Sequence, residues 1–297
     1  MPPLPITEHK QINVPGSEDF TFDKQGYLVG VSSLDNTLFR TTYEGNGQQE
    51  VLIPNIGSAT GPFPVRGLRF LADSDSNTGT LVFADVGAGG LSKINLQDRT
   101  RTTVMTGVKQ PNGVTVDDKG FIYMSGMDGN VHRIDPNTGD SSVILPSTGF
   151  SIDGIALSPD FKRLYINTEM GFISYIPFDD KGNAGEHVVM AQITGSAGLL
   201  DGLAVDECGN IYVVQMSGTI WRVSPDSLYE GDQKVEKAFS MVPETETERY
   251  RSSMFAANFG SGVGGWKTES LYIMNMYNNC VYEVDFGVKG ASQVHLR

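Results

Sequence analysis

LLDGLAVDECGNIYVV, from Leu199 to Val214, contains a short apolar alternation that follows an aspartate and a glycine. An acidic turn with Gly-Asn separates this alternation from a second one. The pattern predicts two short strands joined by a turn, with Asp201 at the start of the first strand. A carboxylate is unexpected where a buried strand begins, and its meaning depends on whether the pattern recurs.

The same pattern recurs along the whole chain. Further copies are GSEDFTFDKQGYLVGVSS from Gly16, VRGLRFLADSDSNTGTLVFADVG from Val65, QPNGVTVDDKGFIYMSG from Gln110, SIDGIALSPDFKRLYINTE from Ser151 and MFAANFGSGVGGWKTESLYIMNM from Met254. A third strand follows in most units. The first polar residues of five units are Glu18, Arg66, Asn112, Asp153 and Asp201, and the best match in the sixth unit is Phe255. Successive residues in this series are 48, 46, 41, 48 and about 54 positions apart. This period predicts an all-β, six-bladed β-propeller that occupies residues 1–297 as a single domain.

Composition narrows the classes of partner. The chain has 35 acidic and 22 basic residues, and this balance disfavours nucleic acids and anionic membranes while remaining compatible with metal cations. No stretch approaches the ~20 apolar residues of a membrane span, and MPPLPITEHK lacks the features of a signal peptide. Cys208 and Cys280 are far apart, which favours free thiols in a reduced, cytoplasmic setting. We expect a small-molecule substrate, and the oligomeric state stays open.

Two segments outside the repeat pattern carry weaker predictions. Asp226–Phe239, DSLYEGDQKVEKAF, is compatible with a short turn of helix, and the charged segment 224–253 is interpreted as an extended connection that serves as a lid or a solvated loop. The aspartates of VDDKG, SPDFK and VDECG are expected to form turns.

The six equivalent residues are expected to meet around one axis. The innermost strand of each propeller blade lines the central channel, so its first residues point into one mouth. Three carboxylates in a funnel of low dielectric constant need compensation by a cation, by protonation or by Arg66. Hard oxygen ligands suit Ca²⁺, with Mg²⁺ or Mn²⁺ as further options, and the predicted ligands are Glu18, Asn112, Asp153 and Asp201. Taken singly, each Asn-Gly or Asp-Gly pair is typical of an ordinary turn.

SIDGIALSPDFKRLYIN and LLDGLAVDECGNIYVV, together with GSEDF and QPNGVTVD, resemble the senescence marker protein/gluconolactonase family. Its relatives include the paraoxonases, the diisopropyl fluorophosphatases and the strictosidine synthase-like proteins. The resemblance implies a six-bladed propeller that holds a divalent cation, usually calcium, and often hydrolyses lactones. It further implies that Glu18 is a metal ligand, that Asn112 is a ligand or substrate contact, and that Asp201 binds metal and acts as base or nucleophile. Asp153 departs from the asparagine usual in the family, and the histidine pair of the paraoxonases has no counterpart here, because His132 lies in a third strand facing away from the channel.

These observations predict a metal-dependent hydrolase of a lactone or similar cyclic ester. The cation would polarise the carbonyl, while Asp201 or Asp153 would take a proton from water. Predicted substrate contacts are Arg66, Asn112 and Phe255. A hydrophobic rim is formed by Met127, Met170, Met216, Phe255 and Met276 unless these residues pack between blades.

Two alternatives stay open. One is a biosynthetic enzyme of the strictosidine synthase-like type, catalysing condensation, cyclisation or isomerisation on the same propeller. The other is a propeller that binds partners without catalysis.

Overall fold

The structure, a computed structural model, describes residues 4–58, 63–72, 74–195, 200–241 and 254–297. The described chain is built from strands that form six separate four-stranded antiparallel sheets. Its helical content consists of a short 3-10 helix at Val294–Leu296. No helix in the described ranges is long and apolar enough to cross a membrane.

Four consecutive strands form each of the first five sheets. The first two sheets contain β2 (Ser17–Phe22), β3 (Tyr27–Ser32), β4 (Leu38–Thr42) and β5 (Glu50–Ile53), then β6 (Val65–Phe70), β7 (Thr80–Asp85), β8 (Gly90–Asn95) and β9 (Arg101–Thr106). The third contains β10 (Pro111–Val116), β11 (Ile122–Gly126), β12 (Val131–Ile134) and β13 (Ser141–Leu145). The fourth and fifth contain β14 (Ile152–Leu157), β15 (Arg163–Thr168), β16 (Phe172–Pro177) and β17 (Val188–Gln192), then β18 (Leu200–Val205), β19 (Ile211–Gln215), β20 (Thr219–Val223) and β21 (Val235–Ser240).

The sixth sheet is assembled from both ends of the described chain. It consists of β22 (Met254–Phe259), β23 (Ser270–Asn275), β24 (Cys280–Asp285) and, as its outer strand, β1 (Lys10–Asn13). The antiparallel pairing of β1 with β24 therefore fastens the start of the described chain to its last blade.

The inner strands form a closed ring. Each of β2, β6, β10, β14, β18 and β22 contacts the inner strand of the next sheet, and β22 contacts β2. This arrangement is a six-bladed β-propeller, so the predicted fold class is confirmed.

The hydrophobic core lies between neighbouring blades. Each buried apolar cluster draws its side chains mainly from two adjacent sheets. Between the sixth and first blades, the Phe22 ring lies 5.0 Å from that of Trp266 and 5.4 Å from that of Tyr272. Because burying one such side chain stabilises the fold by ~1.5–3 kcal/mol, these clusters hold the blades in their radial order.

The expected turn aspartates have the roles predicted from the sequence. Asp117 Oδ1 accepts hydrogen bonds from the backbone amides of Lys119 and Phe121, both at 2.9 Å. Asp206 makes the equivalent bonds in the fifth blade, and Asp160 accepts one from the Lys162 amide at 3.1 Å. These hydrogen bonds stabilise the turns that connect the first and second strands of the third, fourth and fifth blades.

The predicted helical turn in Asp226–Phe239 is wrong. The segment contains turns and then most of β21, the fourth strand of the fifth blade. Glu236 and Lys237 are exposed on this outer strand while Ala238 and Phe239 are buried, which is why the local charge pattern resembles that of a loop. The interpretation of 224–253 as a single extended connection is therefore also wrong for its first half, and residues 242–253 lie outside the described ranges.

Candidate active site

All six inner strands are interrupted by a β-bulge at the same place. In the first blade Ser17 pairs with Ser32 and Phe20 pairs with Gly30, so two residues of β2 oppose one residue of β3. The same shift occurs in every other blade. Each predicted ring residue is the second residue of its inner strand and the first of the bulge: Glu18, Arg66, Asn112, Asp153, Asp201 and Phe255. The repeat alignment is therefore correct in the sixth blade as well.

The glycine after four of these residues is required by close packing. A Cβ atom on Gly154 would lie 2.4 Å from the backbone oxygen of Asp201 in the next blade, and one on Gly113 would lie 2.6 Å from that of Asp153. Gly67 and Gly202 are equally close to their neighbours. The turn interpretation of the Asn-Gly and Asp-Gly pairs is therefore wrong, because each pair lies inside a strand and fits the bulge against the adjacent blade.

Four of the predicted residues surround one cavity at the start of the inner strands. Glu18, Asn112, Asp153 and Asp201 line the same open cavity. Within this group, Asn112 Nδ2 donates a hydrogen bond to Asp153 Oδ1 at 2.6 Å. The cavity therefore gathers three carboxyl groups and one amide from four different blades.

Side chains of the second strands hold the bulges in place. Ser125 Oγ on β11 accepts from the Gly113 amide at 2.9 Å and donates to the Asp153 backbone oxygen at 3.0 Å. In the next blade, Asn167 Oδ1 accepts from the Gly154 amide at 2.7 Å, and its Nδ2 donates to the Asp201 backbone oxygen. Each bond to a backbone oxygen crosses to the following blade, so the positions of Asp153 and Asp201 are fixed by their neighbours.

Burial raises the pKa of all three carboxyl groups. Burial raises the pKa of Glu18 to about 8, with the Asp19 charge adding to the increase and Arg66 opposing it. Burial likewise raises the pKa of Asp153 to about 6, again against the charge of Arg66. The pKa of Asp201 is raised well above its usual range, first by burial and then by the charge of Glu18. Arg66 alone therefore does not compensate three ionised groups.

Arg66 and Phe255 occupy ring positions, but in the described part of the chain their side chains do not line the cavity. Arg66 Nη1 donates to the sulfur of Met127 at 2.9 Å, so the guanidinium extends toward the third blade. The Phe255 side chain is 6% exposed and its ring lies 6.3 Å from that of Phe63, which precedes the second sheet.

The predicted hydrophobic rim is only partly formed. Met170 is 40% exposed, and Met127 contacts Arg66 as described. Met216 is partly buried. Met276 is 3% exposed and directly follows the second strand of the sixth blade. Met276 is therefore a core residue, as the alternative interpretation held.

The prediction from sequence missed an ion pair in the channel. Arg69 Nη1 lies 2.6 Å from Asp19 Oδ2, and both side chains are nearly buried. The same Asp19 oxygen accepts from the Leu68 amide at 3.0 Å, and its Oδ1 accepts from the Phe20 amide at 2.8 Å. Asp19 stands where four other blades carry glycine, so its carboxyl group fills the space between the first and second blades.

Arg69 could have been found once the bulge was included. The bulge shifts the alternation by one residue, so the side chain three positions after each ring residue faces the channel again. This second tier consists of Thr21, Arg69, Thr115, Ala156, Ala204 and Asn258. Arg69 is its one charged member, and it lines both the cavity of the ring residues and a second cavity at the other end of the channel.

The donor set has the chemistry that a hard divalent cation requires. Three carboxyl groups and an amide oxygen are typical calcium ligands, and burial raises the pKa of each of the three carboxyl groups. In the described ranges, however, no three Asp, Glu, His or Cys side chains converge closely enough to hold a metal ion. The residues fit a cation by chemical type, and their side chains would have to turn toward a common point to bind it.

The remaining titratable candidates lie apart from the cavity. His132 is buried in β12, a third strand, as expected. Burial lowers its pKa. Both cysteines are free, with Cys208 exposed and Cys280 buried. These residues have no contact with the ring positions that the structure records.

Known proteins agree with the fold and with the resemblance seen in the sequence. The family described as the SMP-30/Gluconolactonase/LRE-like region matches residues 124–237, a range that contains Asp153 and Asp201 but not Glu18 or Asn112. The predicted family resemblance is confirmed by this match. Among curated proteins, no sequence matches the chain.

Three similar solved structures share the whole architecture. A provisionally named gluconolactonase is 16% identical with a TM-score of 0.67 and covers 98% of this chain and 97% of its own. A luciferin-regenerating enzyme is 13% identical, with a TM-score of 0.68 and coverages of 97% and 99%. Regucalcin from Agrobacterium tumefaciens, described as a calcium-binding protein, is 16% identical, with a TM-score of 0.65 and coverages of 96% and 93%. At these identities the likeness establishes the fold alone.

Proposed function

We propose that this propeller is a hydrolase of lactones or similar cyclic esters. The observation that carries the proposal is the cavity in which Glu18, Asp153 and Asp201 meet Asn112 at one mouth of the channel. Hydrolysis of an ester needs a base for water and compensation for negative charge on the carbonyl oxygen. The match to a family named after gluconolactonase supports this reaction class.

A divalent cation, with Ca²⁺ favoured over Mg²⁺ and Mn²⁺, completes the proposed site. Glu18, Asn112, Asp153 and Asp201 would hold it, and when bound it supplies Lewis-acid polarisation of the ester carbonyl. The carboxyl groups of this set are the ones whose ionisation is suppressed by burial and by one another. A bound cation would relieve that repulsion and favour their charged forms.

Asp153 is the best-placed general base. Without a cation, burial raises its pKa to about 6, and a bound cation would lower this value and keep the carboxylate ionised at neutral pH. The hydrogen bond from Asn112 Nδ2 fixes one carboxylate oxygen and leaves the other to take a proton from water. The water oxygen then bonds to the carbonyl carbon, the ring C–O bond breaks, and the departing oxygen receives the proton to give a hydroxy acid. Asp201 is the alternative base.

Metal removal and restoration test the proposal. The full-length protein is treated with a chelator, dialysed, and assayed against five- and six-membered lactones by acid release in a weakly buffered indicator solution. We expect activity to be lost and then restored by Ca²⁺, with Mg²⁺ and Mn²⁺ as comparisons. Lactonase activity that survives verified removal of all metal would reject the cation, and no activity toward any lactone in the presence of each cation would reject the reaction class.

A further inference from the structure

The mouth of the channel is surrounded by exposed apolar side chains. The inner strands begin at this mouth and neighbouring strands are antiparallel, so the links between second and third strands, and between fourth strands and the next blade, lie at the same end. Four of the nine large exposed hydrophobic side chains of the described chain lie on these links: Leu34, Phe150, Met170 and Tyr277. Tyr277 is 63% exposed. These links therefore add apolar surface near the entrance of an acidic cavity, and a site with both characters suits a ligand that has both.

Three aromatic rings form one side of this entrance. The Phe255 ring lies 6.3 Å from that of Phe63 and 5.9 Å from that of Tyr277, the latter in an edge-to-face arrangement. Phe63 precedes the second sheet while Phe255 belongs to the sixth, so their contact spans the first sheet, which carries Glu18. We name Phe63, Phe255 and Tyr277 the aromatic wall.

The backbone of Phe63 is unusual. Its φ angle of 59° lies in the left-handed region, which bulky side chains rarely adopt. Such conformations persist where the surroundings hold them and are concentrated at ligand-binding sites. At the ring position itself, the sixth blade has Phe255, whereas the other five blades have charged or amide side chains. The left-handed backbone of Phe63 and the position of Phe255 in the ring thus each place an aromatic ring at this side of the mouth.

The aromatic wall offers a polyol one hydrogen-bonding group, the hydroxyl of Tyr277. A sugar lactone carries several hydroxyl groups, and the rings of Phe63 and Phe255 provide no hydrogen-bonding partner for them. A hydrocarbon substituent gains free energy on the same surface. Resting on the proposed function, we infer that the substrate is a lactone whose ring bears an alkyl or aryl substituent, and that the aromatic wall binds this substituent while the ester faces Asp153 and Asp201.

A series of δ-lactones tests this inference directly. The protein in Ca²⁺ is assayed with δ-valerolactone, δ-hexalactone, δ-octalactone, δ-decalactone and glucono-δ-lactone. Each buried methylene is expected to raise kcat/KM by up to about fourfold until the substituent outgrows the wall. Glucono-δ-lactone is expected to be the poorest substrate.

Variants of Tyr277 connect the preference to the wall. Because Tyr277 is largely exposed, Tyr277→Ser should fold normally, as checked by thermal unfolding. We expect it to reduce the ratio of kcat/KM for δ-decalactone over δ-valerolactone by about tenfold, while Tyr277→Phe retains that ratio. The matched control is Val143→Ser, which changes a side chain that is 51% exposed on β13, an outer strand, and should leave the series unaltered.

The outcomes separate this inference from the function on which it rests. Hydrolysis of glucono-δ-lactone in preference to the alkyl lactones, or a series without dependence on chain length, would overturn the inference while leaving the lactonase intact. A chain-length preference that is unchanged in Tyr277→Ser and in Phe255→Leu would also overturn it. Failure to hydrolyse any lactone would reject both.

Discussion

The two ends of the channel differ, because the mouth is open and the far end is covered by the segment after β24. At the mouth, Glu18, Asp153 and Asp201 face an open cavity, and burial raises the pKa of each of these carboxyl groups. At the far end, the segment after β24 crosses the opening and bonds to several blades. The Ala291 amide donates to the Val205 oxygen at 2.8 Å, and Gln293 Nε2 donates to Asn258 Oδ1 at 2.9 Å.

The two ends also differ in whether their polar groups have hydrogen-bonding partners. Thr21 Oγ1 donates to Gln293 Oε1 at 3.0 Å, and His295 Nε2 lies 2.6 Å from the Phe22 backbone oxygen. These groups of the far end are paired with one another, whereas the acids of the mouth repel one another. The Arg69–Asp19 ion pair lies between the two ends. Changes at the mouth should therefore alter activity, and changes at the ion pair or the far end should alter stability.

The largest effect is expected for Asp201→Asn. The substitution removes a predicted metal ligand and the alternative base, so turnover of a lactone should fall by about 10²–10⁴-fold or more. The pKa of Asp201 is raised in the folded protein, so the folded state favours the neutral carboxyl group. The stability that this neutral group contributes is lost as the pH rises through the raised pKa. Without added cation at pH 7, the free energy of unfolding should thus be unchanged or higher in the variant. Urea unfolding and the lactone assay measure both quantities, with Asp180→Asn as an exposed control; unchanged turnover would remove Asp201 from the site.

Loss of the dividing ion pair should mainly affect stability. Arg69→Met leaves the Asp19 carboxyl group nearly buried without its partner, which should lower the free energy of unfolding by about 3–5 kcal/mol. Asp19→Asn in the same chain should restore much of the loss, because the backbone amides that bond to Asp19 can also bond to an amide oxygen. Chemical denaturation of the two single variants and the double variant gives the coupling energy. A coupling near zero would show that the pair does not act as a unit.

The smallest effect is expected at the far end and depends on pH. Burial lowers the pKa of His295 from 6.5 to about 4, with a smaller opposing contribution from the hydrogen bond to Phe22 and further lowering by the charges of Arg69 and Lys24. The stability that the neutral ring contributes is present above pH 6.5 and is lost as the pH falls toward 4. The free energy of unfolding should therefore fall by about 3 kcal/mol between these two pH values. We expect His295→Gln to flatten this part of the stability profile. Parallel pH profiles of the variant and the parent protein would contradict this assignment.

The blade period predicted much of the fold and the ring positions. The spacing of Glu18, Arg66, Asn112, Asp153 and Asp201 was sufficient, because inner strands of equal length place equivalent residues at equal heights. Phe255 was aligned correctly although its blade carries no acid or amide at that point. Strand β21 was missed, since Glu236 and Lys237 give a solvent-facing edge strand the composition of a loop.

Other parts of the site depend on contacts that sequence patterns do not encode. The Arg69–Asp19 pair follows from the bulge, which changes the alternation that a regular strand would have. The placement of Asn112 and its equivalents at the start of inner strands was predicted, but the reason for the glycine after them was not, because it is required by the next blade, far away in sequence. The aromatic wall joins Phe63 to Phe255 across a blade, a proximity that only the closed ring creates.

The repeated bulge has a consequence for how this scaffold can change over time. In four blades a glycine follows the ring position and allows the neighbouring blade to pack closely, so the ring residue itself is not constrained by that contact. Glutamate, arginine, asparagine, aspartate and phenylalanine all occupy the same backbone geometry here. Six sites on one circle can therefore be exchanged separately, and a lineage could acquire a new reaction by single substitutions while every blade keeps its shape.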